Sequence, residues 1–238
     1  MAMIYFTQIS SLFQDLFRSL FPDLCLACNR ESRSQDAWFC VQCLHDLPFS
    51  DHFKIKDNTV MKHFYGRIPL HHGAALLTFR QGSMVQHMLH RLKYTGNKEI
   101  GEILGVLAGQ RLSTSTLFLQ PDIIIPVPIH YKKQQKRGYN QSSVFGQSVG
   151  KTCNIPFHED VLIKTIANES QTGKTRSERV ENVSDVFVCK RPELVHLRHV
   201  LIVDDVVTTG ATLEACCHKI MSASPASISI LTIAATKS

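Results

Sequence analysis

Apolar positions in this chain follow two different rhythms. Ile9, Leu12, Phe13, Leu16, Phe17 and Leu20 recur at helical spacing and stop at Pro22, so residues 1–22 predict an amphipathic helix. Its polar face lacks the Lys/Arg enrichment of membrane-surface helices, which favours packing on its own domain over a membrane or partner role. Beyond a cysteine-containing module (23–50) and a polar, His-rich connector (51–73), unbroken apolar runs alternate with helical ones through 74–238. AALLTF, DIIIPVP, VLIKTI, SDVFVC, VLIV and SISILTIAA read as strands, and helices are predicted around Met84–Tyr94, Ile100–Leu107, SSVFGQSVG and the segment after Gly210. Apolar strands without alternation, separated by helices, predict an α/β fold with a parallel sheet covered on both faces.

With 238 residues and 44% hydrophobic content, the chain has material for one large domain and a small appendage. No run of about eighteen apolar residues is present, so no transmembrane segment is predicted. The opening segment has no basic leader, and Asp15 and Arg18 interrupt its apolar stretch. That argues against an export signal and for a reducing, cytoplasmic setting, where the eight cysteines are thiols or metal ligands. A formal charge of +6 biases the chain toward anionic partners.

The stretch VLIVDDVVTTGAT (Val200–Thr212) runs four apolar residues straight into two adjacent carboxylates. Charge on a central strand is costly unless it is paired or bound, so Asp204 and Asp205 ask for a ligand, a metal or a cation. In open α/β sheets ligands bind beyond the carboxyl ends of the strands, where this pair falls. The following Thr208, Thr209, Gly210, Ala211 and Thr212 offer hydroxyls and backbone N–H groups at a helix N-terminus, a cradle for phosphate. Hydroxyl-facing carboxylates beside a phosphate cradle fit a phosphorylated sugar.

Cys25, Cys28, Cys40 and Cys43 are spaced C-x2-C-x11-C-x2-C. Two such knuckles complete a tetrahedral zinc site, and four thiolates leave no open position, so the ion would be structural. Two cysteine pairs in a disulfide-bonded module are the alternative, which suits an exported protein. Trp38 and Phe39 are expected to pack against the site, and His45 is surplus to four ligands.

No Asp or Glu occurs between Asp122 and Glu159, whereas Lys132, Lys133, Lys136 and Arg137 cluster there, followed by Tyr139, Asn140 and Gln141. This basic loop suits either a pyrophosphate or a nucleic-acid backbone, with Tyr131 and Tyr139 as interleaved aromatics. A second polar block, Ser170–Asn182, supplies Gln171, Lys174, Arg176, Arg179 and Asn182 as a mobile cover over the site, or as an ordinary charged hairpin.

Val200–Thr212 resembles the signature of type I phosphoribosyltransferases. The order of the four-cysteine knuckle, LKYTG (Leu92–Gly96), PVP followed by RGYNQ, SQT…ER…N and DDVVTTGAT resembles the ComF family. The resemblance implies a phosphoribosyltransferase-like protein connected with DNA uptake and natural transformation. It further implies phosphoribosyl pyrophosphate, bound with Mg2+ by Asp204, Asp205, Val206, Thr208–Thr212 and Arg137, with the two aspartates as the catalytic pair. Lys164 stands where many relatives have arginine, and Val180 where tryptophan is frequent. Two classes stay open: a phosphoribosyl-transferring enzyme, for which no acceptor-recognising residue stands out, and a non-catalytic single-stranded DNA-binding or regulatory module that has kept the fold.

Overall fold

The computed structural model describes residues 24–31, 38–165 and 186–236. The predicted helix over 1–22 lies outside them. The chain divides into two compact units, Met1–Leu47 and Pro48–Ser238.

In the first unit, the chain turns tightly after Cys25. Asn29 N donates to the Cys25 carbonyl at 2.9 Å, and Cys25 N to the Arg30 carbonyl at 2.8 Å. Asn29 takes a left-handed conformation (φ 60°), which asparagine tolerates better than most residues. An antiparallel bridge joins Leu24 to Glu31. Cys40 caps the short helix α1 (Val41–Asp46).

The second unit opens with α2 (Thr59–Lys62), then β1 (His72–Phe79), α3 (Met84–Tyr94), α4 (Lys98–Thr114), β2 (Ile123–Pro126), α5 (Tyr131–Arg137) and α6 (Gln141–Cys153). It continues with β3 (Leu162–Lys164), β4 (Phe187–Cys189), β5 (His199–Val207), α7 (Ala211–Met221) and β6 (Ser227–Thr236). Four strands form the main sheet in the order β1-β6-β5-β2, all parallel. Its central strands are covered on both faces, which is why their sequences do not alternate. Ile123, Ile125, Val200 and Ile202 share a core with Leu213, Cys216, Cys217 and Ile220 of α7. On the other face, the neighbours Ile124 and Val203 meet α6 at Gly150 and Gly146.

Helices α4 and α6 approach unusually closely. A Cβ on Gly105 would fall 2.5 Å from Ser148 Cβ and 2.6 Å from the Phe145 carbonyl, so only glycine fits. Ser148 Oγ closes the contact by donating to the Glu102 carbonyl at 2.6 Å.

Three features depart from the pattern-based expectation. β3 and β4 pair antiparallel with each other, apart from the parallel sheet. Each is three residues long and half-covered, so neither is an inner strand. β5 extends through both aspartates to Val207, with Asp204 opposite Thr232 and Val206 opposite Ala234. The expected basic loop is helix α5: His130 caps it by accepting from Lys132 N at 3.2 Å, and Gly138 (φ 77°) ends it by donating to the Gln134 carbonyl at 2.7 Å.

The connector over 51–73 packs within this second unit. Asn58 caps α2 by accepting from Met61 N at 3.1 Å and donates to the Gly73 carbonyl at 2.9 Å. His52 accepts from Ala75 N at 3.2 Å, and its carbonyl lies 2.9 Å from His72 Nε2. No helix among the described residues is long and apolar enough to cross a membrane.

Candidate functional site

The paired aspartates stand on β5 where the first turn of α6 meets it. Ser142 Oγ donates to Asp204 Oδ1 at 2.9 Å, and Asp205 N donates to the same oxygen at 2.8 Å. Gln141 Nε2 donates to Asp205 Oδ2 at 2.8 Å. Asn140 sets this turn by accepting from Ser142 N at 3.1 Å and donating to the Val127 carbonyl at 3.0 Å. The positive end of the α6 dipole therefore faces the carboxylates.

The cation that the sequence asks for is Lys93, whose Nζ lies 2.8 Å from Asp205 Oδ2. It belongs to the LKYTG motif, to which sequence reasoning attached no role. Ser142 was missed likewise; only its position two residues beyond Tyr139–Asn140 hinted at it. Although part of Asp204 is solvent-accessible, its carboxyl is densely surrounded. Desolvation first, and the Asp205 charge second, push it up to about 7. The backbone N–H of Asp205, the bond from Ser142 and the charge of Lys93 offset this only in part.

Past the strand, Thr208 and Thr209 are exposed and Gly210 is buried in a left-handed conformation (φ 78°) as the cap of α7. Ala211 and Thr212, the first residues of α7, are also exposed. The backbone and hydroxyl donors of this turn are thus accessible together. A Cβ on Gly210 would meet the Phe64 ring at 3.1 and 3.2 Å and His63 Cβ at 3.5 Å. Arg67 Nη1 donates to Glu214 Oε2 at 2.8 Å, tying the segment after α2 to α7. The connector carries no motif that marks it in the sequence, yet it walls the Thr-rich turn. Val206, by contrast, lies within the paired part of β5.

Beside the carboxylates is a cleft of about 410 Å³ lined by Lys93, Tyr94, Gly96, Lys133, Lys136 and Arg137. Arg137 sits over the Tyr94 ring at 5.1 Å and donates to Gln141 Oε1 at 3.0 Å. Lys132, Lys133 and Lys136 are exposed on α5, which buries none of its residues. A cavity of similar size, about 430 Å³, opens at the start of β6 near His71 and Ile228. It gathers no Lys, Arg, Asp or Glu, whereas the first cleft gathers four cationic side chains.

The expectation that Tyr139, Asn140 and Gln141 present themselves to a ligand is corrected. All three are buried. The Tyr139 hydroxyl donates to the Leu92 carbonyl, Asn140 caps α6 and Gln141 holds Asp205. The exposed aromatics beside the basic residues are Tyr94 and Tyr131. Gln171, Lys174, Arg176, Arg179 and Asn182, expected as a cover, lie outside the described residues.

In the first unit the thiols of Cys25, Cys28, Cys40 and Cys43 converge within 4.8 Å of one another, so the cluster could hold a metal ion. All four are free, with Cys28 Sγ and Cys40 Sγ 4.0 Å apart. A tetrahedral ion with metal–sulfur bonds of about 2.3 Å requires sulfurs about 3.8 Å apart, so the donor set fits. The backbone N–H of Arg30, outweighing desolvation, brings the Cys28 thiol down to about 6. Burial pushes Cys43 up. Phe39 is buried as expected, but Trp38 is 43% exposed and His45 pairs with Asp46 at 3.0 Å.

Residues 140–238 match the phosphoribosyl transferase domain. The chain is 32% identical over 132 residues to the DNA utilization protein YhgH of Shigella flexneri, an alignment covering 53% of this chain and 56% of that one. It is 34% identical over 96 residues to competence protein F of Haemophilus influenzae, covering 40% and 42%. The match thus spans about half the length of these relatives. Competence protein ComFC of Bacillus subtilis is 25% identical over 215 residues, covering 86% of this chain and 83% of that one. The matched domain begins at Asn140, so every residue lining the cationic cleft precedes it.

Proposed function

We propose that this chain, a ComF-family phosphoribosyltransferase-like protein, binds phosphoribosyl pyrophosphate with Mg2+ and acts in DNA uptake. One observation carries the reading. Two carboxylates, an exposed Thr-rich helix start and a cleft with four cationic side chains are contiguous on one rim of the sheet. Asp204 and Asp205 accept from the ribose hydroxyls, Thr208–Thr212 hold the 5′-phosphate, and Lys93, Lys133, Lys136 and Arg137 receive the diphosphate. Among the described residues, Asp204 Oδ2 and Asp205 Oδ1 carry no partner, which leaves one acceptor on each carboxylate for a ligand. Mg2+, when bound, would neutralise charge on the diphosphate, and the free oxygens of Asp204 and Asp205 are the donors that would hold it.

The chain's own contribution to transfer is electrostatic. Carboxylates near C1′ favour the sugar cation, and the cationic cleft favours the departing diphosphate. Thiolates that leave no open coordination position make the Cys25, Cys28, Cys40 and Cys43 cluster a structural zinc site.

Calorimetric titration with phosphoribosyl pyrophosphate, with and without Mg2+, tests the reading. Saturable Mg2+-dependent binding that is lost in Asp204→Asn/Asp205→Asn is expected; no heat in either condition would overturn it. The link to DNA draws on a separate observation, the helix α5 with Lys132, Lys133 and Lys136 exposed beside Tyr131. Single-stranded DNA binds such a surface by charge and stacking. Replacing the three lysines with glutamine should weaken binding and flatten its salt dependence, because fewer counterions are released. Unchanged affinity and salt slope would remove α5 from any DNA contact.

A further inference from the structure

Lys93 belongs to two parts of the pocket at once. Its Nζ pairs with Asp205 Oδ2 at 2.8 Å, and the residue also lines the cleft with Lys133, Lys136 and Arg137. The same Asp205 oxygen accepts from Gln141, whose Oε1 accepts from Arg137 at 3.0 Å. Lys93, Asp205, Gln141 and Arg137 therefore form one continuous polar chain. Its middle is a buried carboxylate, and both of its ends are cations in the cleft. Lys93 is about one-quarter exposed, so it remains reachable from solvent.

We infer that Lys93 couples the hydroxyl-reading carboxylates to the diphosphate cleft, and so sets the preference of the pocket for sugars that carry both a free diol and a diphosphate. This rests on the phosphoribosyl pyrophosphate reading above. An ammonium group has three donors in rotatable arrangement, and Asp205 occupies one. A second can take a diphosphate oxygen without releasing the first. Held by Asp205, the ammonium is fixed in place before the ligand arrives, which spares it the cost of ordering a long side chain on binding. Ribose 5-phosphate, which lacks the diphosphate, meets only the aspartates and the Thr-rich turn. Lys93 accordingly acts on the diphosphate-bearing ligand and leaves the phosphomonoester largely unaffected.

The test compares wild type, Lys93→Met and Lys93→Arg for binding of phosphoribosyl pyrophosphate, inorganic pyrophosphate and ribose 5-phosphate, each with Mg2+. In Lys93→Met the first two affinities should fall at least about tenfold, while that for ribose 5-phosphate changes less than about threefold. Lys93→Arg keeps the charge and should recover part of the loss. It also keeps the question answerable should the methionine variant fail to fold. If Lys93→Met weakens all three ligands equally, Lys93 merely shapes the pocket and the coupling is wrong. The coupling is equally wrong if wild type binds the first two and Lys93→Met keeps its discrimination. If wild type binds neither diphosphate compound, the site reading and this inference both fall. A stability cycle adds a second readout: Lys93→Met should cost less in an Asp205→Asn background than in wild type, because the pair is already broken there.

Discussion

Gly210→Ala is the perturbation whose cost the structure specifies most closely. Gly210 has φ 78° and ψ −5°, a left-handed conformation that costs a residue with a Cβ about 1–2 kcal/mol. The new methyl would also lie 3.1 and 3.2 Å from the Phe64 ring, which is buried and cannot swing away freely. Gly138 provides the control. It has a similar φ of 77°, but a Cβ there meets nothing within 4 Å. Gly138→Ala should therefore lose about 1 kcal/mol of unfolding free energy and Gly210→Ala about 2 kcal/mol, the excess being the push against Phe64. For a unit of this size that is a drop in Tm of about 4–8 °C for Gly210→Ala. Urea unfolding followed by far-UV circular dichroism is the appropriate assay, because the only tryptophan, Trp38, reports on the other unit. A Phe64→Leu background should reduce the Gly210→Ala penalty toward that of Gly138→Ala. If the two alanine variants cost the same, or the penalty is unchanged in Phe64→Leu, the wall formed by the connector does not constrain the Thr-rich turn.

Asp204→Asn should stabilise the unliganded protein relative to wild type, by a gap that opens between about pH 4 and about pH 7. In that window the folded state binds more protons than the unfolded one, so wild-type stability falls as pH rises and the asparagine variant lacks that slope. His52 contributes the opposite slope. Burial holds its imidazole below the usual range, so its contribution is complete above about 6.5 and is lost as pH falls toward the lowered folded value. Measured as variant minus wild type across pH 4–8, His52→Gln should show a shallower acid limb, and an unaltered limb would exonerate His52. Protein prepared without added metal should carry one zinc per chain, lost in Cys28→Ser or Cys43→Ser. Chelation should shift Trp38 fluorescence while the far-UV spectrum largely persists. Metal-free protein with disulfides in reducing buffer would refute this.

The parallel sheet was legible because its strands are buried on both faces, and burial leaves an unbroken apolar imprint. Residues such as Ile123–Ile125 and Val200–Val203 could hardly be read otherwise. The thiol cluster and the carboxylate pair were legible for a different reason: both chemistries need their residues at short, fixed spacing. Lys93 was not, because it lies 112 positions before Asp205 and a lone lysine at the end of an amphipathic helix looks like any solvated one. Tyr139 misled in the opposite sense. Among basic neighbours it reads as a stacking aromatic, yet its ring fills the core and its hydroxyl answers the Leu92 carbonyl. Helix α5 was hidden by composition, since YKKQQKR has no apolar face to give it a period.

The charge balance at the end of β5 indicates which aspartate a ligand should affect most. Two carboxylates share one lysine, and that lysine sits on Asp205. Asp205 has Gln141 as well, so its burial is largely compensated within the protein. Asp204 has a hydroxyl from Ser142 and one backbone N–H, both neutral donors, and no cation of its own among the described residues. A fold under no other constraint would lose nothing by an amide there, because an uncompensated buried charge opposes stability. The arrangement is coherent only if something that arrives later offsets the charge, by donating hydrogen bonds or bringing a cation. Ligand binding should then draw a proton off Asp204 in the neutral range, since donors from the ligand favour its charged form. Proton release measured by calorimetry in buffers of different ionisation enthalpy should be near-complete at pH 6 and vanish in Asp204→Asn. Release that persists in the asparagine variant would assign the proton to another group, and would leave the cost of Asp204 without a functional explanation.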